Sequence, residues 1–175
     1  QYTKIASVGM FEHVGPARLP EYLRHIHTIL ADDGLFLNHG IARPDGGAVD
    51  GQTLFLDRYV FPGSGLVPLS MLVREANLAG FEVIDVENLR PHYALTCRAW
   101  VNHLQQAEEK ATAIVGATAY RTWLLYLAAS AINFEDAYTE VHQVLMAKRG
   151  HRGRQWLTRD FLYRWIGSER AWREV

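Results

Sequence analysis

The sequence predicts an α/β fold, and specifically the later half of an open sheet. Three observations carry that reading. The chain begins strand, helix, strand, the unit that builds a parallel sheet. Further along, two-residue alternation gives way repeatedly to helical spacing. The composition, 49% hydrophobic and 21% charged over 175 residues, is that of a soluble globular chain with material for one core.

The elements follow in order. Lys4-Ile5-Ala6-Ser7-Val8-Gly9 reads as a short buried strand, and Gly9 to Pro16 as a loop punctuated by Gly and Pro. Leu19-Pro20-Glu21 opens a helix with Leu23, Ile26 and Leu30 on one face, and Asp32-Asp33-Gly34 stops it. Leu35 to Ile41 is the next strand. Residues 42–53 are rich in Gly, Asp and Pro and read as a loop, followed by the aromatic Tyr59-Val60-Phe61 and a turn at Pro62-Gly63-Ser64-Gly65. Leu69 to Ala79 is helical, with Gly80 placed to end it. Phe81 to Glu87 alternates apolar and acidic residues, a half-exposed strand. Helices over 94–115 and 119–132 precede a last strand, Val141 to Lys148. There is no internal repeat and no low-complexity run.

Charge divides the chain at its end. The net charge of −1 gives no global pull toward nucleic acid. From Lys148 onward, however, eight Lys/Arg face three Asp/Glu, while the first 147 residues hold ten basic and sixteen acidic side chains. Residues 1–149 therefore read as the body and 150–175 as a basic, aromatic-rich tail. Between Trp156 and Trp172, Leu157, Phe161 and Trp165 would share a helical face. Such a face suits an anionic lipid surface, and equally suits packing on the body or on a second chain. A lone cysteine, Cys97, excludes an intrachain disulfide and fits a reducing, cytoplasmic setting. No run of apolar residues is long enough to span a membrane. His25 and His27, two apart on a helix, face different ways, and no metal site is expected.

Three residues stand out chemically. Glu12 follows the first strand, and ligands of open α/β sheets bind beyond the carboxyl ends of the strands. Flanked by Phe11 and His13, its carboxylate would be partly desolvated, as functional acids often are. His39 ends the next strand on the same rim if the two are parallel neighbours. Tyr93, in Arg90-Pro91-His92-Tyr93, follows a later strand and offers a ring for an apolar substrate and a hydroxyl for a hydrogen bond. Each of the three also has an ordinary structural role open to it, and the residues alone leave both readings standing.

The stretches SVGMFEHVG, DDGLFLNHGI, YVFPGSGLVP, AGFEVIDVENLRPHYALTCRAW and YRTWLLYLAASAINF occur in the order seen in cyclopropane-fatty-acyl-phospholipid synthases. The chain resembles the C-terminal part of that family over roughly residues 3–149, and the first and fourth stretches are the most specific. The resemblance implies half of a Rossmann-like class I methyltransferase sheet with additional helices covering a lipid site. It implies methyl transfer from S-adenosylmethionine to a cis double bond of a phospholipid acyl chain, followed by proton loss and ring closure. It implies a bicarbonate ion as base, held by Glu12, His39 and Tyr93 with a backbone contact at Ile41, and a cofactor passing near Val8 and Gly9. Phe11, Tyr59, Phe61, Trp100, Trp123 and Tyr126 become candidates to line the substrate site, and each has ordinary packing as its alternative.

The sequence departs from the family twice. Where the family's helix carries a cysteine near the active site, Tyr126-Leu127-Ala128-Ala129-Ser130-Ala131 places Ser130, which keeps volume but not thiol reactivity. The glycine-rich strand-turn-helix that cradles the cofactor has no counterpart, since Gly46-Gly47 and Gly63-Ser64-Gly65 lack the flanking elements it needs. With Gln1 in place of an initiator Met, the expectation is a chain lacking its N-terminal half and inactive alone. It would pair with another copy or with a separate N-terminal methyltransferase half, and sit in the cytoplasm or peripherally on the inner membrane surface. A noncatalytic half-domain used for assembly, or a lipid methyltransferase that closes no ring, are the competing expectations.

Overall fold

Strand side chains alternate between the two faces of a sheet, and one strand of this protein follows that rule over most of its length. In the computed structural model, which describes residues 1–46, 51–63, 65–150 and 159, that strand is β2 (Leu30–Ala42). Phe36, Asn38, Gly40 and Ala42 are buried on one face, and Leu35, Leu37, His39 and Ile41 are half-buried on the other. β1 (Tyr2–Val8) runs parallel to β2. β3 (Phe81–Asn88) and β4 (Glu140–Lys148) complete a four-stranded sheet in the order β1-β2-β4-β3, with β4 antiparallel to both its neighbours.

The first face carries the main core. Helices α1 (Phe11–Ile29) and α3 (Leu69–Leu78) lay Leu19, Leu23, Ile26, Leu72 and Ala76 onto Phe36, Phe81, Val144 and Met146. Phe36 and Phe81 are fully buried with ring centroids 5.8 Å apart. Each such side chain contributes roughly 1.5–3 kcal/mol by leaving water. On the second face, helices α4 (Arg90–Gln106) and α5 (Glu108–Glu135) form a hairpin over one end of the sheet. There Ala94, Cys97, Ala131 and Phe134 close on Val141 and Ile41.

Several boundaries differ from the sequence reading, each for a local reason. Helix α1 begins at Phe11 inside the expected loop, is broken at Gly15 (φ 71°, ψ 168°), and resumes at Pro16, a residue suited to a first helical position. β2 starts at Leu30, whose extended backbone turns the chain straight out of the helix, so Asp32-Asp33-Gly34 lies within the strand. A short helix, α2 (Gly51–Tyr59), occupies the end of the expected 42–53 loop and runs into the aromatic segment. The hairpin turns at Ala107, where no Gly or Pro announces a break. The gap expected between 115 and 119 is instead a kink inside α5 at Gly116 (φ 82°). Gly80 ends α3 as expected, at φ 96°. The tail helix expected between Trp156 and Trp172 lies outside the described residues, as do Gly47 and Ser64. Of that tail Arg159 is described, its Nε 2.6 Å from Asp85 Oδ2 on β3.

Two predictions follow from this packing. A methyl group on Gly40 would fall onto the buried Phe11 ring and 2.9 Å from Glu12 Oε2. Gly40→Ala should lower stability by about 1–3 kcal/mol in denaturant titration, the usual effect of overpacking a core. The second concerns pH. Burial pushes the His142 imidazole below its ordinary pKa, opposed by Glu140, and burial with the nearby Lys148 charge does the same to His27, opposed by Asp32. As pH falls through the ordinary imidazole range near 6.5, the unfolded chain takes up these protons before the folded one does, so stability declines there. Equilibrium unfolding between pH 7.5 and 5 should show that decline, and the His27→Gln/His142→Gln double variant should show a shallower one.

Candidate active site

The site begins where β1 stops and β2 continues. The Gly9 N–H donates to the His39 carbonyl at 3.0 Å as the last contact of the parallel ladder. Two residues further along β2, the Ile41 N–H points to the same side with no strand beside it. Glu12, in the first turn of α1, takes that position: its Oε1 accepts the Ile41 N–H at 2.8 Å. The short helical turn between Gly9 and Gly15 brings the carboxylate back over the sheet, and Gly40 lets it and Phe11 come down against β2. Glu12 is 8% exposed, and its Oε2 has no hydrogen-bond partner among the described residues.

His39 and Tyr93 meet from different elements. Tyr93 lies in the first turn of α4, after Pro91 near the helix start, with its ring edge-on to Phe134 at 5.6 Å. Its hydroxyl is 2.7 Å from His39 Nε2. On the other side of the imidazole, Gln143 Nε2 is 3.1 Å from His39 Nδ1, and β2–β4 register sets the two residues directly opposite. Burial raises the Tyr93 pKa, and the negative charge of Glu12 adds to the rise. The phenol therefore keeps its proton at neutral pH, and the carboxylate lies within electrostatic reach of it.

Three of the expected lining residues form one aromatic group. Phe61 lies 5.6 Å from Tyr126 and 6.5 Å from Trp123, both edge-on, and Trp123 and Tyr126 are 5.5 Å apart. His13, next to Glu12, meets Phe61 at 5.8 Å and joins the group to the rim. Burial raises the Tyr126 pKa, the Ser130 hydroxyl one helical turn away lowers it, and Cys97 and the Glu12 charge raise it slightly. The other lining candidates make no described ring contact with this group. Phe11 is 2% exposed in the main core, Trp100 is half-exposed on α4, and Tyr59 is exposed at the end of α2, its ring tilted at 40° to that of Phe55. Val8 and Gly9 stand at the open end of β1, with Val8 67% exposed.

The sequence reading placed Gln143 in a strand but gave it no role. The signal was there: His142 and Gln143 interrupt an apolar strand, and Gln143 faces His39 once register is known. Gly40 likewise reads from the sequence only as a strand residue. Cys97 is buried, and burial raises its thiol pKa, so it is not a reactive thiol that could stand in for the one Ser130 lacks. Among the described residues no group of three or more His, Cys, Asp or Glu could hold a metal ion, and no helix is long and apolar enough to cross a membrane.

The sequence matches the family described as mycolic acid cyclopropane synthetase over residues 1–144. A probable fatty acid methyltransferase of Pseudomonas putida is 43% identical over 173 residues, covering 94% of this chain and 43% of that protein. Among solved structures, the cyclopropane synthase MmaA2 from Mycobacterium tuberculosis superposes with TM-score 0.78 at 29% identity, and the mycolic acid cyclopropane synthase CmaA1 complexed with SAH and CTAB with TM-score 0.76 at 31% identity. Each superposition covers 83% of this chain and 55% of the other. The chain thus spans about half the length of these relatives, and its four-stranded sheet matches the class I methyltransferase fold of the two synthases. The match over residues 1–144 and the shared fold establish that the chain belongs to the mycolic acid cyclopropane synthetase family of S-adenosylmethionine-dependent lipid methyltransferases.

Proposed function

We propose that the chain forms the proton-accepting and lipid-side part of an enzyme that methylates a cis double bond of a phospholipid acyl chain and closes a cyclopropane. What supports this is the His39–Tyr93 contact at the rim of the sheet, the Glu12 charge within electrostatic reach of that phenol, and an aromatic group that meets His13, the neighbour of Glu12. S-adenosylmethionine, when bound, supplies the electrophilic methyl group; in this chain only Val8 and Gly9, at the open end of β1, would lie against it. Adding a methyl to a double bond leaves a carbocation, and ring closure then needs a base beside the added carbon. Aromatic faces stabilise a cation, and a dry site keeps water from trapping it.

Bicarbonate fits the residues present. Glu12 Oε2 is a buried acceptor with no partner among the described residues, suited to the hydrogen that bicarbonate carries, and the Tyr93 phenol is a protonated donor. Together they would hold an oxyanion that itself carries one hydrogen. The Ile41 N–H is already engaged by Glu12 Oε1, so Ile41 would act on the ion through that carboxylate and not directly.

One observation supports a second product. The Pseudomonas putida relative is described as a fatty acid methyltransferase, and Ser130 stands where the synthases resembled have a cysteine. On that reading the cation loses its proton elsewhere, and a methylated chain without a ring results.

Joined to an upstream methyltransferase half, the protein should convert unsaturated phospholipid to a product heavier by one CH₂, and fragmentation mass spectrometry separates ring from branch. Glu12→Gln should lower turnover by about 10²- to 10⁴-fold, the usual weight of a positioned base or its holder, and an unchanged rate would remove Glu12 from the chemistry. The 175-residue chain alone should turn over no S-adenosylmethionine and show no micromolar binding by calorimetry; tight binding would overturn that part of the reading.

A further inference from the structure

We propose that Gln143 is a positioning residue: it fixes the tautomer of His39 and, through it, the direction in which the Tyr93 hydroxyl offers its hydrogen. Gln143 presents its amide nitrogen to His39 Nδ1 at 3.1 Å. With the amide nitrogen turned to the ring, Gln143 donates, which assigns Nδ1 as the acceptor and the ring hydrogen to Nε2. That hydrogen then goes to the Tyr93 oxygen, 2.7 Å away. A phenol that accepts from the imidazole keeps its own hydrogen free, and that hydrogen is turned away from His39. The chain of donors thus runs from β4 through β2 to the first turn of α4 and ends in an O–H. Had Nδ1 carried the hydrogen, Tyr93 would spend its hydrogen on His39 and present only lone pairs to the site.

The backbone holds this order. Gln143 lies opposite His39 in the β2–β4 register, and its neighbour on the other side, Glu87 on β3, is exposed. Gln143 touches neither the aromatic group nor the rim carboxylate in any described contact. Its effect is exerted through the imidazole, as a second hydrogen-bond partner orients a functional histidine elsewhere. The role rests on the reading of Tyr93 as a donor in the proton-accepting site. The tautomer itself does not, because it can be measured without turnover.

The test uses this chain with ¹⁵N-labelled histidine and long-range ¹H–¹⁵N correlation at about pH 8, with His39→Gln to assign the signal among eight histidines. The expected spectrum shows His39 protonated on Nε2; a hydrogen on Nδ1 overturns the proposal. Gln143→Glu replaces the donor with a group that only accepts, so the His39 hydrogen should move to Nδ1. A tautomer unmoved in a variant with a native-like amide spectrum also overturns it. That amide spectrum is needed because the new carboxylate would face Glu87 across the sheet. If the variant does not fold, the wild-type tautomer alone decides. In the enzyme completed with its upstream half, Gln143→Glu should lower kcat by about 10- to 100-fold with the KM for S-adenosylmethionine unchanged, the range seen when an imidazole loses its orienting partner. A completed enzyme that makes no lipid product would sink the proposed function and leave the tautomer assignment in place.

Discussion

The site depends on a single hydrogen bond, from the Ile41 N–H to the Glu12 carboxylate. β1 stops at Val8 and β2 runs on to Ala42, so on the β1 side β2 has a backbone donor with no strand beside it. A buried N–H must find an acceptor, and leaving one unpaired costs about 1–3 kcal/mol. The side chain of the next element supplies it. That bond ties the start of α1 to the sheet, sets Phe11 in the core over Gly40, and stations His13 against Phe61. The Gly65 N–H donates to the Glu12 carbonyl at 3.0 Å, which draws the loop carrying Phe61 toward the same point.

A buried carboxylate is expensive unless its charge is answered. Here one oxygen is satisfied by backbone and the other is not, while the negative charge is felt by Tyr93, Tyr126 and Tyr22, whose phenols it helps to hold in the protonated form. Neutral phenols are donors, so the acid and the hydroxyls around it are complementary. Beneath the rim, the Tyr22 hydroxyl donates to Asn38 Oδ1 at 3.1 Å, a polar contact deep in the main core. The sheet therefore carries polar chemistry on both faces at one end and apolar packing around Phe36 and Phe81 at the other.

Much of this was readable beforehand because it is local. Ser7-Val8-Gly9 followed by Glu12 announced a strand end with an acid beyond it. His39 fell on a strand whose alternation was plain, and Tyr93 on a junction marked by Pro91. What could not be read depends on register or on glycine geometry. Nothing in the string shows that Gln143 faces His39, since the two are 104 residues apart and meet only when β4 inserts beside β2. The helical turn before Gly15 was hidden because Gly and Pro together read as loop, although Gly15 breaks the helix without abolishing it. The aromatic candidates divided on the same principle. Phe61, Trp123 and Tyr126 were brought together by tertiary packing, whereas Phe11, Tyr59 and Trp100 were indistinguishable from them by residue type alone.

The strand order also dictates a sequence of events in time. Among the described residues β3 has β4 as its one neighbour in the sheet, and β4 is the later of the two in the chain. On the ribosome, β3 emerges with no partner and must wait through the whole α4–α5 hairpin, while β1 and β2 can already pair. The arrival of β4 therefore closes the sheet and delivers Gln143 to His39 in one step, so the polar rim cannot be assembled ahead of the scaffold that supports it.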